Sequence, residues 1–124
     1  MRKTVLLADD EATVRHLVHA TLALGGGPVE VLEARTGAEA LALLARRPVD
    51  LVLLDVEMPE LDGLAACRAL KADPATRHIP VVFLSARTQP ADRDAGAAAG
   101  AHAYLTKPFS PRLLSETARR LLGA

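Results

Sequence analysis

The chain has 124 residues and a formal net charge of zero, and half of its residues are hydrophobic. This length suits one domain with a real core, which Leu, Val and Ala must fill because only three residues are aromatic. The lack of a basic run or acidic tail argues against direct nucleic-acid binding, which needs a clustered basic surface. No apolar run approaches membrane-spanning length, and Cys67 is the single cysteine. We therefore expect a soluble cytoplasmic protein that contacts no membrane and has no intrachain disulfide.

In chain order, short aliphatic runs alternate with segments of helical periodicity. Strands are predicted at residues 4–8, 29–34, 51–55, 80–84 and 101–105. The helices between them are predicted to begin near residues 12, 37, 63, 90 and 111. Five such βα units predict an α/β fold, with one parallel sheet covered by helices on both faces and right-handed crossovers. The whole chain, 1–124, is expected to be one domain.

Each helix carries its own local signals. The first is predicted to bury one stripe, after which Gly25–Pro28 ends the helix. The stripe consists of Val14, Leu17, Val18, Thr21 and Leu22. Thr36 and Glu39 have the spacing of a capping box for the second helix. Cys67 lies in the apolar stripe of the third, where a small buried hydrophobe is its expected role. The fourth has only alanines as apolar residues, so weak anchoring is expected.

Polar residues follow the predicted strands at the point where each strand ends. Asp55 ends an aliphatic run without alternation, which is typical of a strand buried on both faces. Asp9 and Asp10 follow the first strand, Ser85 the fourth, and Lys107 the fifth. Because the carboxyl ends of parallel strands share one edge, where ligands bind in such sheets, we expect these residues to converge.

The expected chemistry follows from the charges that meet there. Three carboxylates repel one another unless a cation intervenes, and Mg²⁺ suits a site made of oxygen ligands. With Lys107 the formal charges balance, so one carboxylate is free to act as a nucleophile towards a phosphoryl group. Taken singly, each residue has a plainer interpretation. Asp9, Asp10 and Glu11 can be helix-capping acids, Ser85 a loop hydroxyl, and Lys107 a solvated lysine.

Four motifs in the expected order resemble the receiver domain of two-component response regulators over essentially the whole chain. They are residues 5–11 (VLLADDE), 53–63 (LLDVEMPELDG), 84–86 (LSA) and 104–109 (YLTKPF). The resemblance implies a flavodoxin-like sheet of strand order 2-1-3-4-5. It further implies a phosphoacceptor protein whose donor is a sensor histidine kinase or histidine phosphotransfer protein, and which acts on a downstream effector or output domain.

The resemblance also implies a role for each matching residue. Asp55 would accept the phosphoryl group, and Lys107 would contact its oxygens. Mg²⁺ would be held by Asp9, Asp10 and Asp55 and by the backbone carbonyl of Glu57. Ser85 would be the switch hydroxyl and Tyr104 the switch aromatic, and the Lys107–Pro108 peptide bond would be cis.

Glu57 and Arg87 are candidates for tuning the lifetime of the phosphorylated state. They lie two residues beyond Asp55 and Ser85, so both should flank the mouth of the site. We expect their opposite charges to pair across the approach of the hydrolytic water. The alternative is two solvated side chains that never meet.

Two other functions compete with the signalling switch. A Mg²⁺-dependent phosphatase with an aspartyl nucleophile has similar chemistry, but such enzymes typically carry a second aspartate where this chain has Glu57. A phosphorylation-independent scaffold is disfavoured by the intact acidic pair, acceptor and lysine. The receiver interpretation predicts no turnover enzyme beyond self-catalysed phosphorylation and dephosphorylation. The sequence ends where the fifth helix is expected to finish, which fits a stand-alone regulator or one domain of a longer protein.

Overall fold

A computed structural model describes residues 2–24 and 29–123. Within these ranges five strands alternate with five helices. The strands are β1 (Lys3–Ala8), β2 (Val29–Ala34), β3 (Leu51–Asp55), β4 (Val81–Ser85) and β5 (Ala103–Thr106). The helices are α1 (Ala12–Leu24), α2 (Gly37–Arg46), α3 (Gly63–Ala72), α4 (Pro90–Ala98) and α5 (Pro111–Leu121). The predicted helix stop at Gly25–Pro28 lies outside the described residues.

The strands form one parallel sheet of order β2-β1-β3-β4-β5, the flavodoxin-like order implied by the resemblance. β3 occupies the centre, and Asp55 at its end pairs in register with Leu84 of β4. Ser85 pairs in turn with Thr106 of β5. The polar residues predicted at the strand ends therefore reach one edge. In the described ranges, no helix is both long and apolar enough to cross a membrane.

The core has one layer on each face of the sheet, because successive residues of a buried strand point to opposite faces. Val52 and Leu54 of β3 join the layer that contains Cys67 and Leu70 of α3. Leu51 and Leu53 join the opposite layer, beneath α1 and α5. All five residues of β3 are buried, as the continuous aliphatic run predicts.

Three details differ from the sequence-based expectations. Leu17 was predicted in the buried stripe of α1 but is 38% exposed. The reason is its place at the margin of that stripe, over a hollow lined partly by Pro108 and Phe109. β5 starts at Ala103 instead of Ala101, and β4 is shifted to Val81–Ser85. Ser85 is therefore the last residue of its strand and not the first of a loop.

The loop after β3 is held in place by a close backbone approach at Gly63. Its N–H donates to the Val56 carbonyl at 2.8 Å. A Cβ on this glycine would lie 2.0 Å from the carbonyl oxygen of Asp55, so only glycine fits. The start of α3 is thereby pressed against the backbone of Asp55, which fixes where β3 ends.

Candidate functional site

The site is centred on two buried carboxylates at the carboxyl edge of the sheet. Asp55 is 4% exposed, and Asp9, the residue after β1, is fully buried. The backbone N–H of Asp9 donates to the Ala34 carbonyl at 3.1 Å, which ties this carboxylate to the end of β2. Acidic side chains are rarely buried unless they are paired, so both demand compensation.

Part of that compensation comes from the backbone. The N–H of Glu57 donates to Asp55 Oδ1 at 3.2 Å. The N–H of Glu11 donates to Asp9 Oδ1 at 2.9 Å. In each case one carboxylate oxygen is occupied by the chain that follows it, and the other oxygen is left for the centre of the site.

Lys107 occupies that centre. Its Nζ lies 2.8 Å from Asp9 Oδ2 and 3.2 Å from Asp55 Oδ2. It also donates a hydrogen bond to Glu11 Oε1 at 3.0 Å. The backbone N–H of Lys107 donates to the Ser85 carbonyl at 2.7 Å, which joins the ends of β5 and β4. The Lys107–Pro108 peptide bond is cis, as the resemblance implies.

The pKa values of Asp55 and Lys107 are both raised, which disfavours the charged form of Asp55 and favours the charged form of Lys107. Burial, followed by the charge of Asp9, raises the pKa of Asp55 to about 6, against the opposing effect of Lys107. Burial disfavours the Lys107 ammonium, yet its contacts with Asp9 and Glu11 and the Asp55 charge raise its pKa above the ordinary value. Lys107 therefore stays charged, while the carboxylates around it carry more negative charge than one lysine can neutralise.

An oxygen-lined group able to hold a cation is present within the described ranges. Carboxylate oxygens of Asp9, Glu11 and Asp55 lie within 4.8 Å of one another. Asp9 Oδ2 is buried and, among the described residues, has no hydrogen-bond partner of acceptable geometry, although Lys107 lies beside it. A spare buried acceptor and three hard oxygen ligands fit a divalent cation such as Mg²⁺.

Asp10 and Glu57, the other predicted ligands, lie at the side of this group. Asp10 is exposed and does not belong to the group of three. It lines a hollow of about 300 Å³ together with Glu57, Met58 and Arg87. Both predicted residues thus line one hollow beside the group, while Glu11 takes the third place beside Asp9 and Asp55.

Ser85 and Tyr104, the predicted switch pair, are linked through the backbone of one residue. Ser85 is fully buried, and its Oγ accepts from the Arg87 N–H at 3.1 Å. The Tyr104 hydroxyl donates to the Arg87 carbonyl at 3.0 Å. The Tyr104 ring lies between Phe83, at 6.1 Å between ring centroids, and the Arg93 guanidinium, 5.2 Å from the ring centroid.

The two predicted rate-tuning residues form an ion pair. Arg87 Nε donates to Glu57 Oε1 at 3.0 Å, although both side chains are at least half exposed. Arg87 also lies 3.9 Å from a carboxylate oxygen of Asp92 in α4. The loops after β3 and β4 are therefore joined two residues beyond the strand ends at Asp55 and Ser85.

Glu11 is the site residue that sequence reasoning missed. Its position before α1 suggested only a first-turn acid, and its partner Lys107 is 96 residues away in sequence. No local pattern carries such a contact. The signal that could have found it is topological, because β1 and β5 both flank the central strands and end at the same edge.

His16, His19 and Cys67 lie outside this group of carboxylates. His16 is exposed on α1, and His19 is bonded to the carboxylate of Glu33. Arg15 also contacts Glu33, at 3.5 Å. Cys67 is buried in α3 as a free thiol whose Sγ lies 3.3 Å from the Ala99 carbonyl. These contacts give His19, Arg15 and Cys67 structural roles.

Comparison with known proteins agrees with this geometry. The family model of the response regulator receiver domain matches residues 5–119. The response regulator PleD of Caulobacter vibrioides is 45% identical over 122 residues, which is 98% of this chain and 26% of PleD. The phosphate regulon transcriptional regulatory protein PhoB of Pseudomonas aeruginosa is 40% identical over 112 residues, or 90% of this chain and 48% of PhoB. This chain thus spans less than half the length of either relative.

A solved structure shares the fold over almost its full length. The chemotaxis response regulator CheY4 of Vibrio cholerae superimposes with a TM-score of 0.86 at 33% identity. The match covers 98% of this chain and 99% of that one.

Proposed function

The chain belongs to the receiver domains of response regulators, and we propose that Asp55 is its phosphoacceptor in a two-component system or phosphorelay. The proposal rests on one observation at the carboxyl edge of the sheet: Lys107 Nζ lies 2.8 Å from Asp9 Oδ2 and 3.2 Å from Asp55 Oδ2. This arrangement offers a nucleophile and, beside it, a cation for the oxygens of an incoming phosphoryl group.

In the proposed step, an Asp55 carboxylate oxygen forms a bond to phosphorus while the bond from phosphorus to the donor breaks. The electron pair leaves with the donor, which for a phosphohistidine is a ring nitrogen. Lys107 turns its ammonium to the phosphoryl oxygens, which carry the negative charge of the transition state. In hydrolysis a water oxygen forms a bond to phosphorus while the bond from phosphorus to the Asp55 oxygen breaks. The electron pair of that bond returns to the carboxylate, and inorganic phosphate is released.

Mg²⁺ is the proposed cofactor. Asp9, Asp10 and Asp55 and the backbone carbonyl of Glu57 would hold it, some of them through water. When bound, the ion supplies positive charge beside the phosphoryl oxygens. The proposal is supported by the buried Asp9 Oδ2, which has no hydrogen-bond partner of acceptable geometry among the described residues, and by the hollow that Asp10 and Glu57 line together.

Ser85 and Tyr104 are proposed as the conformational switch. A phosphoryl group on Asp55 would offer the Ser85 hydroxyl a charged acceptor, which is stronger than a neutral one. Turning to it would release the Arg87 N–H from Ser85 Oγ, and with it the loop whose carbonyl now binds Tyr104. Two conformations would then be in equilibrium, and phosphorylation would shift their populations.

The proposed partners are a histidine kinase or histidine phosphotransfer protein as donor, and a downstream effector or output domain as target. The catalysis proposed for this chain is limited to its own phosphorylation and dephosphorylation at Asp55. A cytoplasmic location and a single receiver domain over 1–124 are proposed as well, the first with the support of the free thiol of Cys67.

The decisive experiment is phosphorylation by a small donor. With Mg²⁺ and acetyl phosphate, the wild-type protein should gain one phosphoryl group in intact-protein mass spectra, and Asp55→Asn should gain none. Chelation of the metal should abolish uptake by the wild type, and a beryllofluoride adduct should form only when Asp55 is present. Equal uptake by the two proteins would contradict the assignment.

A further inference from the structure

The three carboxylates around Lys107 differ in how firmly they are held. Asp9 and Asp55 are buried in the edge of the sheet, whereas the side chain of Glu11 is 56% exposed at the start of α1. The Lys107 ammonium lies 2.8 Å from Asp9 Oδ2, 3.0 Å from Glu11 Oε1 and 3.2 Å from Asp55 Oδ2. It is thus nearer to Asp9 and to the half-exposed Glu11 than to the proposed acceptor.

The proposed reaction assigns a role to Asp9 and to Asp55 but none to Glu11. Asp55 becomes phosphorylated in the proposed reaction, and Asp9 turns to the cation. Lys107 must then serve the phosphoryl oxygens, while the Glu11 carboxylate continues to attract it. An interaction that is stronger before the transition state than in it raises the barrier.

From this geometry we propose that Glu11 is a positioning residue which holds Lys107 before transfer and thereby slows phosphorylation of Asp55. This inference rests on the proposed function. Glu11 acts through Lys107 and does not touch the reacting atoms. Its effect is a restraint: the Lys107–Glu11 contact stabilises the state before transfer and is weakened in the transition state.

A cation-ligand role for Glu11 predicts the opposite result. Its carboxylate lies within 4.8 Å of those of Asp9 and Asp55, so it could also contribute to holding a metal. Loss of a ligand would weaken Mg²⁺ binding and slow phosphorylation, whereas loss of a restraint would speed it. The sign of the change therefore separates the two roles.

The test variant is Glu11→Gln, which keeps the shape of the side chain and removes its charge. The backbone bond from residue 11 to Asp9 Oδ1 is preserved. At saturating Mg²⁺, the rate constant for phosphorylation by acetyl phosphate should rise about two- to fivefold, the range expected when one half-exposed ion pair is lost. The matched control is Glu116→Gln, since Glu116 is an exposed acid 3.0 Å from Arg112 on α5. Its rate should equal that of the wild type.

A second readout follows Lys107 itself. The chain has three lysines, Lys3, Lys71 and Lys107. With ¹³C at the lysine Cε atoms, Lys107→Arg identifies the signal of interest by its loss. Glu11→Gln should shift the Lys107 signal of the unphosphorylated protein and leave the other two unchanged. In the beryllofluoride adducts the wild-type and Glu11→Gln signals should coincide, because Lys107 has then left Glu11.

Each other result overturns the inference. Equal rates with an unmoved Lys107 signal would show that Glu11 does not hold the lysine. A slower rate restored by more Mg²⁺ would make Glu11 a cation ligand. A faster rate without a shift of the Lys107 signal would reflect only the lost charge at the mouth. A wild-type protein that takes up no phosphate would instead overturn the proposed function, and this inference with it.

Discussion

Asp55 is a buried carboxylate, and its proposed reactivity and its destabilising effect on the folded protein have the same cause. It lies buried beside the charge of Asp9, and these two effects together raise its pKa to about 6 despite the nearby Lys107. A charge that water and counterions do not stabilise is a better nucleophile and a stronger attractor of cations. The folded protein is correspondingly less stable whenever Asp55 is ionised without a metal.

That instability predicts that Asp55→Asn stabilises the metal-free protein in a pH-dependent way. Folding raises the pKa of Asp55 from 3.8 to about 6, so the folded state binds its proton more tightly than the unfolded state does. Stability is therefore lost as pH rises from about 4 to about 6, and the whole penalty is present above that range. Asn cannot ionise, so the variant should be more stable by roughly 1–3 kcal/mol at pH 8.

Urea unfolding of both proteins in a chelator, at pH 4 and pH 8, measures this difference. The gain from Asp55→Asn should be small at pH 4, where the wild-type carboxyl is protonated in the folded state. Addition of Mg²⁺ at pH 8 should reduce the gain, because the cation stabilises only the ionised side chain. A gain that is the same at both pH values would mean that burial of the charge is not its source.

Among the elements, α4 has the least anchorage in the core. Of its residues, Gly96 is the buried one, which agrees with the weak anchoring expected from its alanine-only apolar residues. A Cβ on Gly96 would lie 3.1 Å from the Tyr104 ring and 3.2 Å from that of Phe83, so the helix packs against both rings through its glycine. The Asp92 carboxylate accepts from the Gln89 N–H at 3.1 Å and fixes the first turn. An element held in this way can shift when the loop before it moves.

We therefore expect beryllofluoride to change backbone amide exchange in residues 86–105 of the wild-type protein. The adduct at Asp55 should attract the Ser85 hydroxyl, and the loop that binds Tyr104 should rearrange with it. Hydrogen exchange followed by mass spectrometry, with and without beryllofluoride and Mg²⁺, measures the change. Asp55→Asn is the control, since it should form no adduct. Unaltered exchange in these residues of a wild-type protein that carries the adduct would rule out the switch.

For the molecule as a whole, the sequence predicted what periodicity and strand ends encode. The buried run before Asp55 identified the central strand, and the polar residues after each strand identified the edge where the site lies. Strand order came from the resemblance, since no local pattern states which strands are neighbours. The prediction that Leu17 is buried was wrong because Leu17 lies at the margin of the apolar stripe. Whether a residue at the margin is covered depends on the loop that lies opposite.

Contacts between distant segments are what the sequence left open. Glu11 reaches Lys107, and the Tyr104 hydroxyl reaches the carbonyl of Arg87, only because the strand ends converge. The pairing of Glu57 with Arg87 could be predicted since each lies two residues beyond a strand end at the same edge. A contact can thus be predicted from the sequence when both residues lie a short way beyond a strand end. It cannot be predicted when a side chain has several possible partners within reach.

The lifetime of the proposed phosphorylated state should be a property of the whole molecule, because we expect it to depend on the two loops that Glu57 and Arg87 join. Hydrolysis of the acyl phosphate needs a water in line with the bond from Asp55 to phosphorus, and side chains at the mouth admit or exclude it. Arg87 is held by Glu57 at 3.0 Å and lies 3.9 Å from Asp92, and we expect it to span that approach. We expect Arg87→Ala to shorten the lifetime roughly two- to fivefold, since a positioned obstacle is lost while the reacting groups remain.

Arg112→Ala provides the matched control for this prediction. Arg112 and Glu116 form the same Nε–Oε1 contact at the same 3.0 Å, but on α5, away from the mouth. Decay of the phosphorylated protein should be followed after the donor is removed, at several salt concentrations. Salt weakens exposed ion pairs, so it should shorten the wild-type lifetime towards that of Arg87→Ala and leave the variant nearly unchanged. If Arg87→Ala and Arg112→Ala decay at the wild-type rate at low salt, the ion pair across the mouth does not exclude water.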